Sequence, residues 1–220
     1  MAYIDFVSQV HKSTKRDYLK RVNEYPKALA AEKATKWGYD YWDGDRKICY
    51  GGYTYDGRWK KVASSMVQHY GLKPGDKVLD VGCGKGFLLY DFTQVLPGIE
   101  VAGLDISDYA IENAKPEVKP YLQQGHAKKL PFEDNSFDLV VSITTLHNLY
   151  CNEFFSALKE IQRVSRKHSY ICVESYRNEQ EKVNLLYWQV TCEMFCTPEE
   201  WQWWFDHTGY KGDYSLIYFE

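Results

Sequence analysis

The most constraining feature of the sequence is a glycine-rich bend between a short apolar segment and a helical one. Residues 77–81 are apolar enough for a strand, and residues 87–95 have the composition of a helix. The connection reads Asp80-Val81-Gly82-Cys83-Gly84-Lys85-Gly86. Alternating glycines let the backbone turn sharply and let a ligand approach without side-chain interference. The helix that follows offers free N–H groups, which suit a carboxylate or a phosphate.

Segments typical of strands alternate with segments typical of helices from residue 57 onward. Such alternation predicts parallel strands joined by right-handed helical crossovers. The predicted fold is α/β, a doubly wound, Rossmann-like and mostly parallel sheet of six or seven strands flanked by helices. Strands are predicted at residues 77–81, 99–104, 121–124, 137–143, 169–174 and 213–219, and helices at residues 58–69, 87–95, 107–113, 152–164, 179–190 and from 198.

The N-terminal quarter of the chain has a different character. Residues 7–36 are charged and rich in helix formers, with one break at Pro26, and predict one or two amphipathic helices. Residues 37–59, which we call the aromatic segment, are dense in Trp, Tyr, Gly and Asp and have no clear period. This segment is either an ordered cap packed on the domain or a lid over a ligand. We therefore divide the chain into an N-terminal segment, residues 1–56, and an α/β domain, residues 57–220.

Composition limits the partners and the location. The 220 residues carry a formal net charge of −3, whereas nucleic-acid-binding domains usually show a basic excess, so no nucleic-acid partner is predicted. No apolar run approaches the roughly 18 residues that cross a bilayer, and no signal peptide is recognisable, so no membrane association is expected. The six cysteines match no zinc-ligand spacing and are typical of reduced thiols in a cytoplasmic protein, so no metal is predicted. The sequence allows a homodimer.

The bend narrows the choice of ligand. A dinucleotide fingerprint requires glycine where the chain has Phe87, and no Gly-Lys-Ser/Thr ending marks a nucleoside-triphosphate loop. The second predicted strand ends in Gly103-Leu104-Asp105. An acidic side chain at this place accepts hydrogen bonds from ribose hydroxyls in both NAD and S-adenosylmethionine sites.

Three motifs follow one another in order: VLDVGCGKG at 78–86, GLDIS at 103–107 and LPFEDNSFDLVVS at 130–142. Together with Thr145-Leu146-His147-Asn148 they resemble the class I S-adenosylmethionine-dependent methyltransferase family, in particular its small-molecule members. The resemblance covers roughly residues 57–176, with a weaker similarity at 197–201. It implies that residues 57–220 form the methyltransferase domain.

The resemblance implies a set of residues that bind S-adenosylmethionine and the product S-adenosylhomocysteine. Gly82, Cys83 and Gly84 would line the methionine moiety, Asp105 would hold the ribose, and Ile106 would pack on the adenine. His126 stands where the family usually has an acid, and the Ala127 N–H would still serve the adenine ring. The chain offers one final strand where the family commonly has a hairpin. Further candidates for cofactor binding are Asp80, Gly86 and Ser142.

The sequence defines the residues that contact the methyl acceptor less clearly than those that bind the cofactor. His147 follows the fourth strand and is the candidate catalytic base, with packing on the cofactor as the alternative role. Tyr50, Tyr53, Arg58 and Tyr176 are the candidate acceptor contacts. We predict methyl transfer to an oxygen or nitrogen atom of a small molecule, with carbon acceptors left open. A nicotinamide-dependent oxidoreductase and a non-catalytic, cofactor-binding partner subunit are the alternatives.

Overall fold

The computed structural model describes all 220 residues. The strands are β1 Lys77–Val81, β2 Glu100–Asp105, β3 Leu122–Gln124, β4 Phe137–Ile143, β5 Ser165–Ser175 and β6 Asp213–Tyr218. The helices are α1 Ser8–Lys12, α2 Tyr18–Glu24, α3 Lys27–Ala34, α4 Tyr39–Trp42, α5 Lys60–Tyr70, α6 Phe87–Val95, α7 Asp108–Glu112, α8 Cys151–Val164, α9 Glu179–Trp188 and α10 Pro198–Thr208. Two 3-10 turns lie at Lys119–Tyr121 and Leu146–Asn148. None of these helices combines the length and the apolar character that a membrane span requires.

The six strands form one sheet in the order β3-β2-β1-β4-β5-β6, and every neighbouring pair is parallel. The prediction of an α/β, Rossmann-like sheet is confirmed. A single strand follows α10 and pairs with β5, so the sheet has six strands and no terminal hairpin. The chain leaves β1 first toward β2 and β3 and later toward β4, which makes the β1–β4 boundary the switch point of the sheet. Ligands of open α/β sheets bind at the carboxyl ends of the strands beside such a point.

Helices cover both faces of the sheet and bury two apolar clusters. Met66 of α5 and Phe92 of α6 pack with Val78 on one face, whereas Phe154 of α8 packs with Leu79 on the other. All seven residues of β4 are buried, as its continuous apolar pattern predicts. The last helix, α10, begins with a capping box at Thr197 and buries its apolar face in the core.

Residues 7–36 form three helices, α1 to α3, so the prediction of one or two was wrong. Asp17 separates α1 from α2 because its carboxylate caps the N-terminus of α2, accepting a hydrogen bond from the Lys20 N–H at 3.0 Å. Pro26 is the N-cap residue of α3 and follows an extended Tyr25. Residues 2–4 then pair with β6, where the Ile4 N–H donates to the Tyr214 carbonyl at 2.9 Å. Residues 2–4 therefore cover the edge of the sheet that β6 would otherwise leave open. The division at residue 57 stays a prediction.

Candidate functional site

A first cavity of about 530 Å³ lies at the carboxyl ends of β1, β2 and β4. This volume is in the range of small-molecule and cofactor sites. Apolar and aromatic side chains form much of its wall, and a few polar groups converge on it. Eight of the ten predicted cofactor-binding residues line this cavity: Asp80, Gly82, Cys83, Gly84, Asp105, Ile106, His126 and Ala127.

The glycine bend owes its shape to positive φ angles. Gly82 and Gly84 have φ values of +84° and +52°, which residues with a side chain rarely adopt. A Cβ on Gly84 would lie 2.6 Å from the Trp42 ring, and one on Gly82 would overlap the side chain of Thr145. Gly86 lies outside the cavity, which corrects its prediction as a cofactor contact. Position 86 requires glycine because a Cβ there would lie 2.8 Å from the Val118 side chain, at the start of α6.

Asp105 joins the bend to the end of β2. Its Oδ2 accepts a hydrogen bond from the Gly84 N–H at 2.7 Å, and its Oδ1 accepts one from the Ser107 N–H at 2.8 Å. Burial raises the pKa of Asp105, and the two backbone donors oppose that shift. Each carboxylate oxygen keeps acceptor capacity for a further donor. The carboxylate is thus held in one orientation at the cavity wall.

Asp80 brings a second acid to the same cavity. Its side chain is 5% exposed and makes no hydrogen bond within the protein. Burial, followed by the nearby charge of Asp105, raises the pKa of Asp80 to about 8. A buried acid without a protein partner suits a ligand group that donates hydrogen bonds or carries positive charge.

The other end of the cavity carries the residues predicted to contact adenine. Ile106 is 42% exposed and presents an apolar surface, while the Ala127 N–H has no acceptor within the protein. The Nδ1 of His126 accepts the Lys128 N–H at 3.2 Å, and its Nε2 lies 3.6 Å from Glu153 Oε1. Glu153 therefore brings an acid to this part of the cavity wall, whereas the loop that carries His126 has none at that position. Sequence reasoning missed it because it arrives on α8, whose pattern indicates only an amphipathic helix.

The aromatic segment covers the first cavity and is tied to it by polar contacts. The ammonium of buried Lys85 contacts both carboxylate oxygens of Asp43 at 2.7 Å and the Tyr53 carbonyl at 2.9 Å. Tyr109 of α7 donates to the same carboxylate at 2.9 Å. The Trp42 indole N–H donates to the Ser107 hydroxyl at 2.9 Å. The segment is thereby fastened to both the glycine bend and α7.

A second cavity of about 720 Å³ adjoins the first. The two share wall residues that include Tyr41, Tyr53, Thr144 and Asn148. The rings of Tyr41 and Tyr53 are stacked, with centroids 6.1 Å apart and planes 8° apart. Aromatic faces of this kind attract cations and exclude water. The shared wall is therefore suited to a positively charged reacting group.

A buried histidine–glutamate pair lies in the wall of the second cavity. His147 Nε2 is 3.5 Å from Glu174 Oε2, which also accepts a hydrogen bond from the Gln189 side chain. Burial lowers the pKa of His147 to about 3, and burial raises the pKa of Glu174 to about 8. At neutral pH these shifts favour a neutral imidazole on His147 and a protonated carboxyl on Glu174. Glu174 is the last residue of the fifth predicted strand, and the sequence pattern does not show that it pairs with His147.

The candidate acceptor residues are only partly brought together. Tyr50, Tyr53 and Arg58 line the second cavity, as does His147. Tyr176 lines neither cavity and packs against the apolar core, which corrects its prediction. The remaining cofactor candidate, Ser142, is fully buried and donates its hydroxyl hydrogen to the Val81 carbonyl at 2.8 Å. Ser142 therefore links β4 to β1 and lines neither cavity, which corrects its prediction as a cofactor contact.

Replacing Glu174 with glutamine is expected to change how stability depends on pH. The folded-state pKa of about 8 lies above the value of about 4.3 in an unfolded chain. The stability linked to this proton is present at low pH and is lost as the pH rises through about 8. The melting temperature of the wild type, relative to Glu174→Gln, should thus fall from about pH 5 to about pH 8. The exposed Glu179→Gln is the control, and a constant difference for Glu174→Gln would contradict the raised pKa.

Comparison with known proteins agrees with the fold. The family model described as "Methyltransferase domain" matches residues 72–209. Demethylmenaquinone methyltransferase of Symbiobacterium thermophilum is 38% identical over 128 residues, which cover 54% of this chain and 50% of that protein. The chain spans about half the length of the curated relatives it matches.

Solved structures show the same fold. A Haloferax volcanii methyltransferase, in complex with the Trm112 methyltransferase activator, has a TM-score of 0.53 at 25% identity, over 70% of this chain and 73% of that one. The YcgJ protein of Bacillus subtilis has a TM-score of 0.53 at 24% identity, over 66% of each chain. The sheet order and the glycine bend define a class I S-adenosylmethionine-dependent methyltransferase fold. The chain belongs to the methyltransferase domain family.

The residues present fit the cofactor that this family implies. The first cavity has an accessible glycine backbone, a fixed carboxylate at the end of β2 and an apolar surface at Ile106. Asp80 offers an acid without a partner for the ammonium of the amino-acid moiety.

Proposed function

We propose that this protein transfers the methyl group of S-adenosylmethionine to an oxygen or nitrogen atom of a small molecule bound in the second cavity. The observation that carries the proposal is the contact between the two cavities along the aromatic wall of Tyr41 and Tyr53. A donor in the first cavity and an acceptor in the second would meet there. Family membership favours this function over a nicotinamide-dependent oxidoreductase or a non-catalytic subunit.

Each part of the first cavity has a proposed task. The backbone of Gly82 to Gly84 holds the methionine moiety, with Asp80 against its ammonium group. Asp105 accepts hydrogen bonds from the ribose hydroxyls, because its orientation is fixed by two backbone donors. Ile106 and the Ala127 N–H hold the adenine. The tied aromatic segment excludes water from the reacting centre.

The cofactor supplies an electrophilic methyl group on a sulfonium, and transfer is an in-line displacement. The protein positions the acceptor atom and takes up its proton. In the reactive form Glu174 is ionised and His147 is neutral. The pair then accepts the proton of the acceptor hydroxyl or ammonium and becomes neutral overall. Because Glu174 ionises near pH 8, the rate should rise with pH in that range.

Carbon methylation is the second candidate. The curated relatives named as demethylmenaquinone methyltransferases support it. The buried proton-accepting pair supports direct transfer to an oxygen or nitrogen atom that loses its hydrogen, and a quinol methylated on carbon would use the same pair, so the methylated atom decides between the two candidates. The cytoplasmic location and the homodimer stay predictions.

Methyl transfer can be followed with S-adenosylmethionine carrying a carbon-13 methyl group. The purified protein is incubated with a panel of phenols, amines and quinols, and the carbon-13 chemical shift of the product identifies the methylated atom. We expect an O-methyl or N-methyl product. A C-methyl product would select the second candidate, whereas bound cofactor without turnover on any acceptor would contradict the proposal.

A further inference from the structure

Resting on the proposed function, we propose that the acceptor carries an anionic oxygen group, a carboxylate or a phosphate, bound by a basic cluster of Lys15, Arg16 and Arg46 in the second cavity. The cluster would anchor the acceptor at a distance from its reacting atom. The substrate class would then be small hydroxylated or aminated acids with an apolar or aromatic body.

The charges around the second cavity do not balance. Arg58 is paired with Asp56, with an Nη2–Oδ2 distance of 2.6 Å. Glu174, the other acid in the wall, holds a proton at neutral pH. The three residues of the basic cluster line the cavity and form no salt bridge with any acidic side chain. Positive charge in a partly enclosed cleft raises the local concentration of anions.

Arg16 is the most constrained member of the cluster. Its Nη1 donates to the carbonyls of His11 and Thr14 at 3.1 and 3.0 Å, and its Nη2 lies 3.2 Å from the His11 Nδ1. The rings of Trp188 and Phe219 flank its guanidinium at 5.1 and 5.3 Å. The side chain is therefore held in one place before any ligand binds.

The protein does not satisfy every hydrogen-bond donor of the Arg16 guanidinium. The guanidinium is partly buried and has no acidic partner, and its Nε–H has no acceptor at all. Burial lowers the pKa of Arg16, and the nearby Tyr18 and Glu174 side chains oppose that shift only in part. An anion in the cavity would compensate the charge. Arginine's planar group suits the oxygens of a carboxylate or a phosphate.

The rest of the second cavity suits an acceptor of this kind. Its volume of about 720 Å³ accommodates a small molecule, and its wall includes the apolar side chains Val7, Val10 and Ile217. The basic cluster and the His147–Glu174 pair belong to the same cavity. An acceptor with its anion at the cluster can therefore direct a hydroxyl or amino group toward the shared aromatic wall.

The test compares three phenols whose para group is a carboxylate, a phosphate or a neutral amide. Para-hydroxybenzoate, para-hydroxyphenyl phosphate and the neutral para-hydroxybenzamide are titrated by calorimetry into the protein saturated with S-adenosylhomocysteine. We expect the wild type to bind one of the anions at least about tenfold more tightly than the amide. Arg16→Gln should reduce that anion's affinity by about 10- to 100-fold and leave the amide unaffected. The more tightly bound anion decides between carboxylate and phosphate.

The controls separate charge from folding. Arg16→Lys keeps a cation and should retain part of the preference, whereas the exposed Lys20→Gln, outside the cavity, should change nothing. Equal binding of the amide and both anions by the wild type, no binding of either anion, or full anion affinity in a folded Arg16→Gln would overturn the inference. Methyl transfer to a neutral acceptor in that case would leave the proposed function intact. Failure to bind S-adenosylhomocysteine would instead count against the proposed function.

Discussion

Replacing Asp105 with alanine is expected to weaken S-adenosylmethionine binding by about 100-fold or more, since charge-assisted hydrogen bonds contribute about 1.5–3 kcal/mol each. The change removes the acceptor for the ribose hydroxyls. It also leaves the Gly84 and Ser107 N–H groups without the carboxylate that orients them. Calorimetric titration with S-adenosylmethionine measures the loss, and thermal melting of the unliganded variant shows whether the fold persists.

Asp108 provides a matched control for this measurement. It lies three residues further along the chain, in the first turn of α7, is exposed and lines neither cavity. Asp108→Ala should therefore bind the cofactor as the wild type does. If Asp105→Ala also kept full affinity, the nucleoside would have to lie away from the end of β2, and the assignment of the first cavity would fail.

His147→Gln is expected to slow methyl transfer by about 10²–10⁴-fold, the usual contribution of a positioned acid or base. Glutamine fills a similar volume but cannot take up a proton. Single-turnover rates measured across the pH range around 8 give the effect. The wild-type rate should rise through the pKa of Glu174, near 8, and His147→Gln should show a flatter and slower profile.

Two further variants distinguish proton transfer from packing. Glu174→Gln removes the group that titrates near pH 8, so the rising limb of the rate profile should disappear. His168→Gln alters a half-buried histidine near the start of β5, outside both cavities, and should leave the profile unchanged. A mild effect of His147→Gln that is equal at all pH values would assign His147 to packing alone.

Much of the fold was predictable because its signals are local. The bounds of β1, β4 and α6 agree with prediction, since each is an apolar run or a helix next to glycine. β5 begins at Ser165, four residues before the predicted start. Its first residues are polar, and their place in the sheet depends on Arg166 and Lys167, which pair with buried Asp138 of β4. No pattern within residues 165–168 shows that partner.

The candidate site divides in the same way. The positions of the glycine bend and of Asp105 at the first cavity were predictable, because each follows directly from a short run of residues at the end of a strand. The contact of Asp43 with Lys85 and that of Glu153 with His126 were missed, because each joins segments far apart in the chain. Ser142 was misassigned because its hydroxyl satisfies a neighbouring strand, and a sequence does not show which direction a buried hydroxyl takes.

The sequence by itself determined where the chain turns, which segments are buried and which strand end carries the acid at the wall of the first cavity. These properties follow from glycine conformation and apolar periodicity, which act between residues close in the chain. Only the tertiary structure decided the second cavity, where the N-terminal helices bring Arg16 into the same space as Glu174. Burial then sets the charge of each group, and burial is a property of the packed chain rather than of any short stretch of it.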